Sequence, residues 1–160
     1  MSTNTTTIEL PGTPKPWMNA AMSTMLRTPG LRTLLGRFFL LLTVTGAKSG
    51  TRYTTPVQYV RDGDRLLVLS QRRRRWWRNL RSRPEVEILL RGRHIATAAR
   101  LAEGEAATDA IATVLRLDPR VAKFYRIAIG PDGEPDPDGV AQLEAAAVVI
   151  VIDMPDPTQP

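Results

Sequence analysis

The sequence predicts a mainly β fold of the α+β class: a small antiparallel barrel with helices on its outside and about six strands. The predicted elements run β-β-β-α-β-β-α-α-β, with connections short enough for hairpins. The strand-helix-strand alternation of a doubly wound parallel sheet is absent from this order. A chain of 160 residues fits one such domain. We expect a loose N-terminal arm over residues 1–16, a single domain over 17–154 and a tail over 155–160.

Composition removes several kinds of chemistry. The chain has no cysteine and a single histidine, His94. Disulfides, iron–sulfur clusters and a cysteine nucleophile are therefore excluded, and no metal site is expected. No segment has the pattern of a signal peptide, and the longest apolar runs are far shorter than the roughly 20 residues that span a bilayer. A cytoplasmic protein is the expectation.

Charge is distributed unevenly along the chain. The net charge is +6, but residues 61–100 contain twelve basic and four acidic side chains, whereas residues 101–160 contain four basic and eleven acidic ones. A cationic face of this kind indicates an anionic partner. The partner could be a phosphorylated cofactor, an acidic lipid surface or a nucleic acid, and charge alone does not choose among them.

The first predicted element is a helix over residues 17–26, because apolar side chains recur there at helical spacing and the stripe ends before Thr28-Pro29-Gly30. A stripe of Trp and Met predicts packing on the sheet. The alternatives are a helix that lies on a membrane surface or covers a pocket. Residues 31–37 are a short connector to the first strand.

Turn signals divide the middle of the chain into strands. Gly46 and Gly50 lie in the loop of a hairpin that spans residues 38–60. Asp62-Gly63 favours the positive φ angles of the next turn, so residues 65–69 are expected to complete an antiparallel meander of three strands. A second hairpin, with strands 85–90 and 94–101, turns at Arg91-Gly92-Arg93.

Residues 72–84 predict a short helix that a proline stops, with Trp76, Trp77 and Leu80 on its apolar face. Residues 103–117 predict an alanine-rich helix. A further short helix is predicted over residues 121–129, with Phe124, Tyr125 and Ile129 facing inward.

The last part of the chain is predicted as a loop and a strand. Residues 130–139 are rich in Pro, Asp and Gly and predict a loop without regular structure. Residues 140–152 predict a final strand that is buried on both sides.

The loop of the first hairpin has the residues of an anion site. Gly46 and Gly50 permit positive φ angles, and Lys48, Ser49 and Arg52 add two cations and a hydroxyl donor to the amides that the loop exposes. Phosphate is the anion that we expect such a loop to bind. An ordinary solvated turn that binds no ligand is an equal alternative. The order of the residues does not match a Walker P-loop.

Together these motifs resemble the deazaflavin-dependent nitroreductases, which belong to the split β-barrel flavin and deazaflavin oxidoreductases. The resemblance covers residues 17–101. Its motifs are Leu41-Leu42-Thr43-Val44-Thr45-Gly46-Ala47-Lys48-Ser49-Gly50, Pro56, Arg61-Asp62-Gly63-Asp64-Arg65, Ser70 and Trp76 with Asn79, Leu80 and Pro84. It implies an FMN-binding-like split β-barrel that binds coenzyme F420 and transfers hydride from its reduced form to a small conjugated acceptor, such as a quinone or a nitro compound.

The resemblance also implies roles for individual residues. Lys48 would pair with the cofactor phosphate, Ser70 would lie near the polar edge of the ring, and Trp76 would form a wall of the pocket. Tyr125 is a candidate on the substrate side, and no catalytic residue is assigned. The residues expected to bind the cofactor are Lys48, Ser49, Gly50, Arg52, Thr54, Thr55, Pro56, Ser70, Arg75, Trp76 and Asn79.

The chain departs from the family pattern at two places. Residues 71–75, Gln followed by four arginines, make a shorter loop than is usual, and Tyr53 stands where the family has an arginine. FMN or haem binding, or a non-catalytic carrier, therefore remains an alternative to F420 chemistry. We expect a small-molecule acceptor, no nucleic acid, a homodimer by resemblance, and peripheral membrane contact as an open alternative.

Overall fold

A computed structural model describes residues 15–155. The predicted arm and tail lie almost wholly outside the described residues, so they and the single-domain boundary stay predictions. The strands within the described part are β1 (Phe39–Thr45), β2 (Arg52–Gln58), β3 (Val60–Asp62), β4 (Arg65–Gln71), β5 (Glu85–Leu90), β6 (Arg93–Ala102) and β7 (Ala147–Asp153). The helices there are α1 (Pro16–Arg27), α2 (Leu31–Leu35), a 3-10 helix (Trp76–Arg81), α3 (Glu105–Leu117), α4 (Pro119–Phe124) and α5 (Pro137–Ala146).

The strands form one curled antiparallel sheet in the order β2-β1-β5-β6-β7-β4-β3. The corner of the sheet is β6, because residues 93–98 pair with β5 and residues 99–102 pair with β7. A strand that changes partners along its length lets a sheet fold over its own core. The predicted antiparallel fold with flanking helices is confirmed.

The predicted three-strand meander is wrong. β4 pairs with β3 and β7, whereas β2 lies at the opposite edge and pairs with β1. The chain changes edge at Tyr59, whose N–H donates to the Phe38 carbonyl (3.0 Å) and whose hydroxyl donates to the Gly36 carbonyl (2.6 Å). Because these bonds hold Tyr59 against the segment before β1, the ladder ends there and the chain crosses to the other edge.

Strand β7 separates two hydrophobic clusters. Val148, Ile150 and Ile152 face the interior of the barrel, whereas Val149 and Val151 face the helices α3, α4 and α5. Both faces of β7 are therefore covered by apolar side chains, and six of its seven residues are buried. This explains why its sequence is continuously apolar instead of alternating, and the predicted burial on both sides is confirmed.

The prediction was wrong for residues 137–146, which form the helix α5 and not the end of a loop and the start of a strand. The Asp136 carboxylate accepts a hydrogen bond from the Gly139 N–H (3.0 Å), and Pro137 occupies the first helical turn. An Asp cap followed by Pro is a helix start. The Pro and Gly content of the preceding loop concealed this signal.

The helix that was predicted over residues 72–84 is shorter and tighter, a 3-10 helix over Trp76–Arg81. Trp77 and Leu80 are buried as predicted, and Trp76 is half-buried.

In the C-terminal half, Phe124 and Ile129 are exposed, contrary to the prediction, and Ile127 is buried in their place. For Ile127 and Ile129 the cause is that α4 ends at Phe124 and Arg126 adopts a φ of 56°, so the chain leaves the helical phase before these residues.

Helix α1 forms where it was predicted and contacts β1 and β2, but only part of its stripe packs on the sheet. Trp17 is 67% exposed and Met18 and Met25 are also exposed, while Leu26 is buried. Within residues 15–155, no helix has the length and apolar character needed to cross a bilayer.

Candidate functional site

One cavity of the protein, which we call the first cavity, lies where the curl of the sheet brings its two edges together. Its volume is about 530 Å³, within the usual range for small-molecule and cofactor sites. Pro56 and Val57 of β2 line it from one edge, and Val60 of β3 lines it from the other. Helices α3 and α4 complete the wall with Val114, Val121, Phe124 and Tyr125.

Three polar side chains of this cavity have buried atoms without a hydrogen-bond partner in the described part of the chain. They are the Ser70 hydroxyl, the Arg74 Nε and the Trp76 Nε1. Ser70 lies opposite Val148 in the ladder of β4 and β7, so its hydroxyl has apolar neighbours. A buried donor without a partner costs free energy. Donors of this kind, gathered in one cavity, fit a ligand that carries acceptor atoms.

Burial also acts on the charge of Arg74. The side chain is half-buried, and this desolvation, followed by the neighbouring charge of Arg73, lowers the pKa of the Arg74 guanidinium. A guanidinium stays protonated at neutral pH despite such a shift. The cavity therefore contains a desolvated cation, which would bind an anionic or strongly dipolar ligand edge.

The loop between β1 and β2 brings Lys48, Ser49 and Gly50 together. Gly50 has a φ of 68°, and its N–H donates to the Gly46 carbonyl (3.0 Å). Lys48 is exposed, and the amides of Lys48 and Ser49 donate no backbone hydrogen bond within residues 15–155. The Ser49 hydroxyl oxygen accepts from the Thr51 N–H (3.2 Å) and keeps its proton available. Two amides, a hydroxyl and an ammonium thus remain to hold an anion.

Asn79 connects this loop to the 3-10 helix. Its Oδ1 accepts a hydrogen bond from the Ala47 N–H (3.0 Å), and its Nδ2 donates to the Trp76 carbonyl (3.0 Å). The amide group therefore fixes the loop relative to Trp76, which lines the cavity. One side chain couples the candidate anion loop to the candidate ring pocket.

The four consecutive arginines do not form one patch. Arg72 donates to the carbonyls of Glu144 (2.8 Å) and Ala147 (3.0 Å), so it joins the end of α5 to β7. Arg74 lines the cavity, whereas Arg75, the predicted cofactor contact, is exposed and outside the lining. The sequence prediction missed Arg74 because a run of identical residues has no periodicity from which to assign a face.

Two other predicted residues lie away from the cavity, on the outer face of the sheet. The Arg52 guanidinium pairs with Glu87 (2.9 Å), and the Thr54 hydroxyl bonds to the Thr43 hydroxyl (2.8 Å). Hydrogen bonds from Arg52 and then His94 lower the pKa of Glu87. Thr55 pairs with Leu42 and is half-buried beside the barrel core, outside the cavity lining. The structure thus separates Arg52, Thr54 and Thr55 from Pro56, Ser70 and Trp76.

An ordered arginine stands at the far end of the cavity from the loop. The Asp118 carboxylate accepts two hydrogen bonds from the Arg120 guanidinium (both 2.9 Å) and caps α4 by accepting from the Arg120 N–H (3.1 Å). These bonds lower the pKa of Asp118 and raise that of Arg120. The guanidinium lies over the Phe38 ring, 4.1 Å from its centroid, an arrangement that favours cation–π attraction.

Tyr125 also lines this end of the cavity. Burial raises the pKa of its phenol. The group therefore stays protonated at neutral pH and could donate a hydrogen bond to a bound ligand. Residues 15–155 contain no cluster of His, Asp or Glu suited to a metal ion. The site is thus an apolar pocket with directed donors, suited to binding and orienting a cofactor that carries its own chemistry.

Comparison with known proteins identifies relatives of the chain. The sequence model of the family described as F420H(2)-dependent quinone reductase matches residues 17–126. The F420H(2)-dependent quinone reductase of Mycobacterium tuberculosis strain H37Rv is 43% identical over 54 residues, which cover 31% of this chain and 36% of that protein. The match thus spans about a third of the length of this curated relative.

Solved structures are similar over more of the chain. An F420-H2 dependent reductase (FDR-A) aligns with a TM-score of 0.53 at 19% identity, covering 73% of this chain and 95% of that one. The haem storage protein HutZ of Vibrio cholerae aligns with a TM-score of 0.54 at 17% identity, covering 81% and 92%. At these identities the likeness shows the fold alone, and the predicted split β-barrel is confirmed.

Proposed function

The chain belongs to the family of F420H(2)-dependent quinone reductases, and from this premise we propose that it binds coenzyme F420. We further propose that it is an oxidoreductase that reduces a quinone or another small conjugated acceptor. The observation that carries the proposal is the set of donors on Ser70, Arg74 and Trp76 that lie in one apolar cavity and have no partner within residues 15–155. A planar heteroaromatic ring with acceptor atoms along one edge would satisfy them.

The cofactor phosphate belongs at the loop of Lys48, Ser49 and Gly50 in this proposal. Its support is the pair of amides, of Lys48 and Ser49, that have no backbone partner in the described part of the chain, together with the exposed side chain of Lys48. Asn79 would keep the phosphate loop and the ring pocket in one fixed relation, since it bonds to both segments. Reduced F420, when bound, supplies the hydride, and the protein supplies position, charge and exclusion of water.

Tyr125 is the residue that we assign to the acceptor side. Because burial raises the pKa of its phenol, the hydroxyl remains a donor at neutral pH. A donor beside the carbonyl oxygen of a quinone stabilises the negative charge that develops there during reduction. The Phe124 ring, 5.0 Å from that of Tyr125 in an edge-to-face arrangement, supports its orientation.

The test is a titration of the purified protein with F420, compared among the wild type, Lys48→Ala and Lys123→Ala. We expect Lys48→Ala to weaken binding about tenfold, because a charge-assisted contact to the phosphate is lost. Lys123, an exposed lysine of α4 outside the cavity lining, is the matched control and is expected to leave the affinity unchanged. A wild-type protein that binds neither oxidised nor reduced F420 at micromolar concentration would rule the proposal out.

The absorbance spectrum of the protein as purified tests the alternative cofactors. A band near 420 nm is expected for F420 in this proposal, whereas a flavin spectrum or a Soret band would indicate FMN or haem. A homodimer, a cytoplasmic location and peripheral membrane contact stay predictions. The exposed Trp17 and Met18 beside Lys15 support membrane contact. If the protein does not bind anionic liposomes, or binds them with no dependence on salt, the prediction of membrane contact is wrong.

A further inference from the structure

A second cavity adjoins the first and has no role in the proposed cofactor site. Its volume is about 890 Å³, and it shares Phe38, Tyr59, Val60 and Arg120 with the first cavity. Its remaining walls come from Arg37 before β1, Arg61 of β3, the β5–β6 hairpin, the junction of α3 and α4, and the residues after β7. Because both cavities contact the same four residues, they are neighbours, and a ligand that occupied both would pass these residues.

The second cavity is strongly cationic. Its lining contains five arginines and a single acidic residue, Asp118. That carboxylate is already bonded through both oxygens to Arg120, so it does not neutralise the others. The remaining lining arginines are Arg37, Arg61, Arg91 and Arg93.

None of these four arginines forms an ion pair with a carboxylate in residues 15–155. Arg61 donates to the Gly63 carbonyl (3.1 Å) and Arg91 to the Gly36 carbonyl (3.4 Å). The acidic residues Asp62 and Asp153, which end β3 and β7, are paired with Arg65 and Arg100. Uncompensated charges of one sign around a cleft concentrate the field there and attract a counter-ion.

The walls between the arginines are apolar. Leu90, Ile95 and Met154 are buried or half-buried, and Leu117 is half-exposed toward the cavity region. A free inorganic anion would leave this apolar surface without contact. An anion with an attached aromatic or aliphatic body would use both the guanidinium groups and the apolar walls.

The second cavity lies far from the loop to which we assign the cofactor phosphate. Strand β1 separates the two regions: Phe38, beside its first residue, lines the second cavity, and the loop of Lys48 follows its last residue. Seven residues of strand extend over roughly 20 Å. An anion in the second cavity thus lies at the opposite end of the first cavity from the loop.

We propose that the second cavity binds the anionic substituent of the electron acceptor, a carboxylate, sulfonate or phosphate, while the conjugated ring of the acceptor lies in the first cavity. This inference rests on the proposed reductase function and names the acceptor class: an acidic quinone or a comparable amphiphilic aromatic anion. Arg120, fixed by Asp118 and by the Phe38 ring, stands where the two parts of such an acceptor would join.

The first experiment measures KM, with saturating F420H2, for a sulfonated naphthoquinone and for the neutral 2-methyl-1,4-naphthoquinone. For Arg61→Gln/Arg93→Gln we expect KM of the sulfonate to rise about tenfold and KM of the neutral quinone to stay within about twofold. In the wild type, raising the salt from about 50 mM to about 500 mM should raise the KM of the sulfonate and leave the KM of the neutral quinone nearly unchanged. Equal effects on both quinones, or no effect on either, would overturn the inference.

The matched control is Arg83→Gln/Arg116→Gln, which removes the same charge from exposed arginines outside the cavity. We expect it to leave both KM values unchanged. Thermal unfolding of all variants shows whether the substitutions merely destabilise the fold.

A binding measurement separates failure of this inference from failure of the proposed function. Anilinonaphthalene sulfonate joins an aromatic body to a sulfonate, and its fluorescence reports binding without any cofactor. We expect its Kd to rise at least about fivefold in Arg61→Gln/Arg93→Gln and to stay constant in the control. If the wild type shows no quinone turnover but the Kd still rises in Arg61→Gln/Arg93→Gln, the proposed reductase function is wrong and the anion site is supported. An unshifted Kd removes the anion site.

Discussion

At the scale of single residues, Arg74 is the most informative position. Its Nε is buried and has no hydrogen-bond partner within residues 15–155, and desolvation of the half-buried side chain lowers the pKa of its guanidinium. We expect Arg74→Met to leave the stability of the cofactor-free protein unchanged or slightly higher, because a partly desolvated charge is replaced by an apolar side chain of similar volume. The affinity for F420 should fall about tenfold, since a charge-assisted contact is lost. Thermal unfolding and a binding titration on the same samples measure both effects.

The neighbouring Arg75 provides the control for this prediction. It is exposed and outside the cavity lining, although the sequence prediction chose it as a cofactor contact. Arg75→Met should therefore change F420 affinity much less than Arg74→Met. A reversed order of the two effects would show that the arginine that contacts the cofactor is the one assigned from the sequence and not the one in the cavity.

The limits of residue-scale prediction follow from what fixes each side chain. Lys48, Ser49 and Gly50 could be placed together because they occupy one tight turn. Pro56, Ser70 and Trp76 could be placed at one cavity only through a family resemblance, since they come from separate segments. Arg52 and Thr54 lie on the outer face because residues alternate along β2 and the register with β1 decides which face each takes.

At the scale of elements, the loop of residues 46–51 and the 3-10 helix behave as one unit because Asn79 bonds to both. We expect Asn79→Ala to lower the free energy of unfolding by about 1–2 kcal/mol, because the Ala47 N–H and the Trp76 carbonyl each lose a partner. Hydrogen exchange should accelerate most at Ala47 and its neighbours in the loop. F420 binding should weaken as well, since the loop is no longer fixed beside Trp76.

Asn79→Asp is the matched variant for this prediction. An aspartate keeps the acceptor for the Ala47 N–H but cannot donate to the Trp76 carbonyl. It should therefore retain the slow exchange of the loop while losing part of the stability. If Asn79→Ala leaves exchange of the loop unchanged, the proposed coupling between the two segments is wrong.

The elements that the sequence predicted correctly are those with local signals. Asp62-Gly63 and Arg91-Gly92 lie at the tight turns after β3 and β5, and both glycines have positive φ angles. The position of β4 beside β7 depends on contacts between distant segments, so turn signals misassigned it to a meander with β2. The helix α5 had a local start signal in Asp136-Pro137, and the composition of the loop before it hid that signal.

At the scale of the whole molecule, the barrel and the helical layer meet at both cavities. Neither cavity was predictable in outline, because each collects residues from segments that are distant in the chain. The charge asymmetry did predict an anionic partner, and the structure places arginines from the basic region, Arg61, Arg91 and Arg93, in one cleft. The continuous apolar run of β7 indicated burial on both of its faces, and the hydrophobic cluster between β7 and the helices is the packing on one of them.

The link between barrel and helices makes stability depend on pH through Asp118. Hydrogen bonds from Arg120 lower the pKa of this carboxyl in the folded protein, and Arg120 in turn lies over Phe38 at the start of the barrel. A group whose pKa is lower in the folded than in the unfolded state adds stability above its unfolded pKa, near 3.9, and loses it as the pH falls through the folded value. Asp118 thus stabilises the fold at neutral pH and ceases to do so in acid.

We therefore expect Asp118→Asn to lower the free energy of unfolding by about 1 kcal/mol between about pH 5 and pH 8. The effect is modest because the Arg120 side chain remains 60% exposed and water screens the pair, and because asparagine can still cap α4. The difference from the wild type should begin to shrink below about pH 4, where the carboxyl becomes protonated in the unfolded chain, and should vanish once the pH falls below the lowered pKa of the folded protein. Urea unfolding at a series of pH values measures this difference, with Asp109→Asn on the exposed face of α3 as the control. A difference that persists unchanged to pH 2 would show that the charge of Asp118 does not stabilise the fold.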